Sequence, residues 1–205
     1  SKVAGTTTSS SALLVVNVPV TFTEQPQSQT VTSGSPVTFR VAAEGTVPLN
    51  YQWHLNGVPI AGATNPTLVL ASALPADAGN YSVDVSNAAG TVSSSAASLI
   101  INVPVSITGE PQDQVATAGE TASFSVIAVG TEPLSYKWRF NGTVIARATS
   151  ATLLLADVQP AHAGNYSAEI INVVSTVVSR EASLTVNRPV TLTQQPLNQE
   201  VTLGN

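Results

Sequence analysis

Few residues in this chain could do acid–base or metal chemistry. There are two histidines, twelve Asp and Glu, seven Lys and Arg and no cysteine among 205 residues. General acid–base catalysis most often uses a histidine within reach of the group it protonates or deprotonates. His54 and His162 lie at unrelated places, and no serine or carboxylate recurs beside them. Zinc asks for three or four ligands, and the sequence offers no such cluster. Calcium asks for several oxygen ligands, usually from closely spaced carboxylates. Glu110 and Asp113 are the nearest pair, expected to be solvated surface, with a junction-stiffening ion as the alternative. No phosphate-binding glycine loop and no nucleophile motif is present. The expectation is therefore no enzyme, no cofactor and no metal. Three sequons, beginning at Asn80, Asn141 and Asn165, read as incidental, because the first and third belong to a repeated strand motif.

With no chemistry to explain, the composition turns attention to scaffold. Charged residues are 9% of the chain, against about 25% in ordinary soluble domains. Ser, Thr, Asn, Gln, Gly and Pro supply the polarity instead. The net charge of -5 and the scattered basic residues argue against nucleic acid, which needs clustered Lys and Arg to meet phosphates. No apolar run reaches the length of a membrane-spanning helix. SALLVVNVPV (11–20) lacks the basic flank of a signal peptide. Hydrophobic residues at 43% are enough to fill a core.

The chain repeats itself. Residues 18–102 align with 103–187 at a constant offset of 85 without a gap, and 43 of the 85 positions are identical. Trp53 meets Trp138, Asn56-Gly57 meets Asn141-Gly142, and Tyr81 meets Tyr166. That level of identity marks a duplicated structural unit. The flanks fit the same frame: 1–17 aligns with the end of a repeat and 188–205 with its beginning. The expected organisation is the last strand of a preceding repeat (1–17), two full domains (18–102 and 103–187) and the first strand of a following one (188–205). Such a window is expected to come from a longer array.

Period-two alternation with turn residues every 8–12 positions predicts an all-β sandwich. Val37, Phe39 and Val41 alternate with Thr38 and Arg40; Tyr51, Trp53 and Leu55 alternate with Gln52 and His54. Asn56-Gly57 then forms a two-residue hairpin turn. Thr67–Leu70 is another strand, Tyr81, Val83 and Val85 face inward on the next, and Ala97, Leu99 and Ile101 close the sheet.

The order GSPVTFRV, YQWHLNG, TLVL, DAGNYSV and AASLIIN resembles an immunoglobulin domain of the intermediate set. It is most similar to the cysteine-free immunoglobulin-like repeats of large bacterial surface and secreted proteins, and the resemblance spans the whole chain. It implies tandem Greek-key β-sandwiches without a disulfide. The family's two cysteines would fall at Val41 and Val83, and at Val126 and Ala168. The implied structural core is Val41, Trp53, Tyr81 and Val83 in one domain and Val126, Trp138, Tyr166 and Ala168 in the other. Tyr81 and Tyr166 match the tyrosine corner, whose hydroxyl bonds backbone a few residues upstream. Asp77 is expected to accept turn amides or to pair with Arg40; His162 and Ser125 replace these two residues in the second repeat. Ala168, smaller than Val83, suggests looser packing beside Trp138.

The junction SLIINVPVSITGEPQ holds no glycine-rich linker, and prolines at 19, 104 and 189 restrict the backbone there. A stiff tandem rod with a rise of about 35–45 Å per repeat is expected. The functional expectation is an extracellular stalk, spacer or filament scaffold. Its partners would be neighbouring repeats of the same chain and further copies in filaments. The alternative is recognition of glycan or protein through loops at the domain ends.

Overall fold

The computed structural model describes residues 1, 4–194, 196–201 and 203–204. It divides into two units, Ser1–Asn102 and Val103–Asn205, each an all-β sandwich. In the first unit the strands are β1 (Thr21–Glu24), β2 (Gln29–Thr32), β3 (Val37–Arg40), β4 (Ala42–Glu44), β5 (Asn50–Leu55), β6 (Val58–Pro59), β7 (Thr67–Leu70), β8 (Gly79–Asn87), β9 (Gly90–Ser93) and β10 (Ala97–Asn102). The second unit repeats them as β11 (Ser106–Gly109), β12 (Gln114–Thr117), β13 (Ala122–Ser125), β14 (Ile127–Val129), β15 (Ser135–Phe140), β16 (Thr143–Val144), β17 (Thr152–Leu155), β18 (Gly164–Ile171), β19 (Thr176–Val178) and β20 (Ala182–Asn187).

In the first unit β1 pairs β4 and β3 pairs β7, each as a two-stranded sheet; the six-stranded sheet has the order β2-β10-β8-β5-β6, with β9 also pairing β8. All pairings are antiparallel except β10 with β2, where Leu99–Asn102 run parallel to Gln29–Thr32. The second unit reproduces this, including the parallel β12–β20 ladder. The Asn56-Gly57 hairpin has both residues at positive φ (51° and 80°), as a tight two-residue turn requires.

Alternation along the strands sends one side chain in two to the core. Val37, Phe39 and Val41 from one sheet meet Trp53, Tyr81, Val83, Val85 and Leu99 from the other, all at 3% exposure or less. Phe39 lies between the other aromatics, stacked on Tyr81 at 4.6 Å and tilted against Trp53 at 6.1 Å. Phe124, Tyr166 and Trp138 repeat this at 4.7 and 6.3 Å. Both indole N–H groups donate to carbonyls, of Asn65 and Ser150, each at 2.9 Å. A buried tryptophan thereby meets its polar requirement.

The second core redistributes volume. Val83 becomes Ala168, but Val85 becomes Ile170 and Ala73 becomes Val158, and all of these are fully buried. Space lost beside Trp138 is thus partly recovered two residues along the same strand.

The flanking segments differ from the core domains. Residues 4–17 and the described residues of 188–205 form no ladder. Leu14 and Val16 align with buried Leu99 and Ile101, yet are 85% and 73% exposed. A strand is fixed by a neighbouring strand, and both domains already pair their own. Lys2, Val3, Gln195, Thr202 and Asn205, which fall within the expected flanking strands, lie outside the described residues.

Val83→Ala is expected to destabilise the first domain by about 2 kcal/mol, from lost burial and the cavity left behind. Chemical denaturation of the full chain, with the two indole N–H resonances followed separately, measures it. An unshifted midpoint for the first domain would show that the Val41–Val83 region is not a packing centre.

Candidate functional site

The residues singled out in the sequence lie at the centres of the two cores. Trp53 is opposite Val83 in the β5–β8 register, and Trp138 is opposite Ala168 in β15–β18. Val41 and Val126 are 3% exposed, at the break in the strand opposite. Tyr81 and Tyr166 donate their hydroxyls to the carbonyls of Asp77 and His162, each at 2.8 Å. Burial pushes the Tyr81 phenol up, helped by the Asp77 charge, and burial alone does the same for Tyr166. Both therefore remain protonated donors. Glycine precedes this strand segment for a steric reason. A Cβ on Gly79 or Gly164 would sit 2.7 Å from the side chain of Asn56 or Asn141. Those amide oxygens accept the Asn80 and Asn165 backbone N–H at 2.9 Å.

One expected pairing does not form. Asp77 accepts the Leu74 backbone amide at 2.8 Å and makes no ion pair with Arg40. The amide is close in sequence and fixed in position, so it holds the carboxylate in the turn. In the second domain His162 takes the same role, its Nδ1 accepting the Gln159 amide at 3.0 Å. Replacement of Asp77 by His162 therefore follows turn geometry, and the change from Arg40 to Ser125 is separate from it.

The structurally distinctive site is the clamp that ties the leading segment of each domain to its last strand. Four register pairs join β2 to β10, and four join β12 to β20. The chain between β1 and β2 is stapled to the last strand and the bend before it. Gln25 Oε1 accepts from the Ser95 amide (2.9 Å) and hydroxyl (3.0 Å), and Ser28 Oγ accepts the Ser98 amide (2.9 Å). In the second domain Glu110 accepts the Arg180 amide (3.0 Å) and Asp113 the Ser183 amide (2.7 Å). These are the carboxylates considered for a cation, and backbone amides engage both. The equivalence of Gln25 with Glu110 and of Ser28 with Asp113 shows that the position calls for an acceptor oxygen. The sequence carries that signal at the 85-residue offset, but a mixture of Gln, Glu, Ser and Asp reads as ordinary surface.

A second tie lies at the start of each domain. Asn87 Nδ2 donates to the carbonyls of Val18 (2.8 Å) and Thr46 (3.0 Å), and Asn172 does the same to Val103 (2.8 Å) and Thr131 (3.1 Å). Asn87 and Asn172 also accept turn amides through Oδ1. Nothing in the local pattern marks these asparagines, because their partners are 41 and 69 residues away.

Charge gathers on one sheet of each domain. Arg139 pairs with Glu169, and Lys137 Nζ lies 3.4 Å from the same carboxylate. Hydrogen bonding from Arg139 holds Glu169 below the usual carboxylate range, with the charges of Arg139 and Lys137 adding to it. In the first domain His54 Nε2 is 3.9 Å from Asp84, which also accepts the Ser93 hydroxyl at 2.6 Å. No group of three or more His, Cys, Asp and Glu that could hold a metal occurs among the described residues. No described helix is long and apolar enough to cross a membrane.

Two tandem sandwiches with this strand order and tyrosine corner define a class, and the family comparison agrees. The immunoglobulin domain family model matches residues 19–87 and 104–172, and the chain belongs to that family. Human Roundabout homolog 3 is 26% identical over 230 residues, spanning 100% of this chain and 16% of that protein. Endoglucanase C of Cellulomonas fimi is 33% identical over 178 residues, spanning 82% of this chain and 16% of that protein. The chain thus covers only a small part of each of these relatives. Among solved structures, the titin I-band fragment I67–I69 superposes with TM-score 0.64 at 23% identity, covering 83% of this chain and 66% of that one. The first four immunoglobulin domains of Dscam1 isoform 6.9 give 0.66 at 20%, covering 87% and 48%. These superpositions establish the fold.

The staples make the domains differ in acid. Asp113 is held below the usual carboxylate range by the Ser183 amide and hydroxyl, and then by the Arg180 charge. With Glu169 also lowered, both groups stabilise the second domain fully above their unfolded pKa values. That contribution is lost as the pH falls below about 4 and through the lower folded values. Ser28 occupies the Asp113 position in the first domain and does not titrate. The Trp138 indole resonance should therefore lose its folded chemical shift at a higher pH than that of Trp53. Asp113→Ser should make the stability of the second domain less dependent on pH between about 5 and 2. Simultaneous loss in the parent chain would show that the carboxylate staple is not energetically significant.

Proposed function

We propose that this chain is part of a load-bearing extracellular array, serving as a stalk, spacer or filament scaffold. The observation that carries this reading is the parallel ladder between the second and last strands of each domain, β2 with β10 and β12 with β20. Tension pulls β2 toward its own start and β10 toward its own end. In a parallel pair those pulls are opposed, so the ladder bonds are loaded together in shear. The Gln25 and Ser28 staples, and Glu110 and Asp113 in the second domain, add side-chain bonds across the same seam. Asn87 and Asn172 hold the chain just before the first strand. Gapless repetition at 85 residues, with proline at each junction, favours a stiff connection. Neighbouring repeats are then the principal partners, and the low charge favours lateral association into filaments. The similarity to a bacterial endoglucanase supports a bacterial-type setting, and the cysteine-free cores are compatible with secretion. The array itself acts as no enzyme in this reading.

Stretching the full chain between terminal handles is expected to give two separate unfolding events. Each should release roughly 300 Å of extended chain less about 40 Å of folded length. Unfolding of both domains at near-zero force would exclude a load-bearing role.

Filaments, where they form, should persist in salt that screens exposed charges, because few ions take part. Electron microscopy of the native material across a salt series reads this directly. Dispersal in moderate salt would contradict assembly through uncharged edges.

A further inference from the structure

We propose that the second domain binds an extended peptide along β17, added as a strand at the sheet edge, with Arg147 pairing to an acidic side chain of that peptide. The site starts from a missing element. Between β16 and β17 the chain makes no strand, so β17 has β13 on one side and no strand on the other. The Val126 amide donates to the Ala151 carbonyl at 3.0 Å, which fixes the phase of the ladder. With Phe124 opposite Leu153 and Ser123 opposite Leu154, alternation sends the N–H and C=O groups of Thr152 and Leu154 to the open side. Two donors and two acceptors are thus presented at strand spacing.

A groove of about 310 Å³ runs along this edge, lined by Ile145, Arg147, Ser150, Thr152 and Leu154 among others. Leu154 is 66% exposed. The strand TLLL carries neither the lysine nor the proline that usually blunts an open edge. Strand addition at such an edge takes affinity from main-chain bonds and specificity from the side chains around it.

Arg147 determines the chemistry of the occupant. Its φ is 65°, and the aligned residue of the first domain is Gly62 at 75°. The second repeat thus places a cation where the backbone favours glycine. No carboxylate lies within ion-pair distance of Arg147 among the described residues. The groove lining contains no Asp or Glu. An acidic peptide therefore complements the site, whereas a second copy of the same edge would bring another arginine and no counter-charge. The inference is independent of the load-bearing role and concerns the second domain alone.

The test titrates the full chain, nitrogen-15 labelled, with the capped peptide TVEVT and its lysine counterpart TVKVT. A TVEVT analogue with N-methylated alternate amides is the third probe. The expected result is movement of the Thr152 and Leu154 amide resonances with TVEVT. Binding should be roughly two- to fivefold tighter than for TVKVT, the range of an exposed ion pair, and lost for the N-methylated form. Arg147→Gly restores the residue type of the first repeat at a backbone angle that suits it, so it should fold and erase the charge preference. No movement at millimolar TVEVT, equal binding of TVEVT and TVKVT, or undiminished binding of the N-methylated form would each overturn the proposal. Shifts at Thr152 and Leu154 that grow with protein concentration without peptide would assign the edge to a second copy, and would overturn it too.

Discussion

The aromatic contact across the two sheets is the constraint on which each domain depends. Phe39 reaches from one sheet to stack on Tyr81 and lean on Trp53 in the other, and Phe124 does the same with Tyr166 and Trp138. Each buried aromatic removes a large apolar area from water, and the stacked geometry adds to that burial. These rings set the sheet separation, and Val41 with Val83, and Val126 with Ala168, occupy the positions that the resemblance assigns to a disulfide. Valine and alanine complete the filling, and the volumes trade along the strand, with Ala168 offset by Ile170 and Val158. The polar ends of the rings bond to backbone: tyrosine to the turn before its strand, and tryptophan to the loop before β7 or β17. Hydrophobic burial and loop conformation are therefore coupled in the same residues.

With the sheets held by their interior, the periphery is held by side-chain oxygens on backbone amides. Gln25, Ser28, Glu110 and Asp113 staple the segment before β2 or β12 to the end of the domain, while Asp77 and His162 hold a turn. These bonds tolerate exchange among residue types because an amide needs only an acceptor. That tolerance is why the repeats keep their architecture while charge changes from Gln25 to Glu110. It also gives two nearly identical folds different electrostatics, with the Arg139–Glu169–Lys137 group in one and His54–Asp84 in the other. In a tandem repeat, such differences give one domain surface chemistry the other lacks, and Arg147 against Gly62 is such a difference.

Much of the fold was legible from the residues alone. Alternation in Val37–Val41 and Tyr51–Leu55 reported the strands because one face is buried and the other wet, a local pattern. Asn56-Gly57 reported a hairpin because the positive φ it needs is chemically restricted. Of the two partners expected for Asp77, the turn amide three residues away is the one that forms; the Arg40 alternative rested on Arg40 and Asp77 changing together between repeats. The clamp was illegible for the opposite reason. Gln25 bonds Ser95, and Asn87 bonds Val18, across about 70 residues, a distance at which no sequence pattern connects a polar side chain to its acceptor or donor.

By itself the sequence determined the repeat, the strand succession, the inward set of residues and the scarcity of chemical groups, because identity at a fixed offset and period-two burial are written in linear order. Only tertiary structure decided which backbone groups were left over. The parallel seam between the second and last strands of each domain, the amides that engage Glu110 and Asp113, and the open side of β17 follow from how distant strands are ordered in a sheet. That ordering fixes where hydrogen bonds end, and the proposed load-bearing seam and peptide edge lie at those ends.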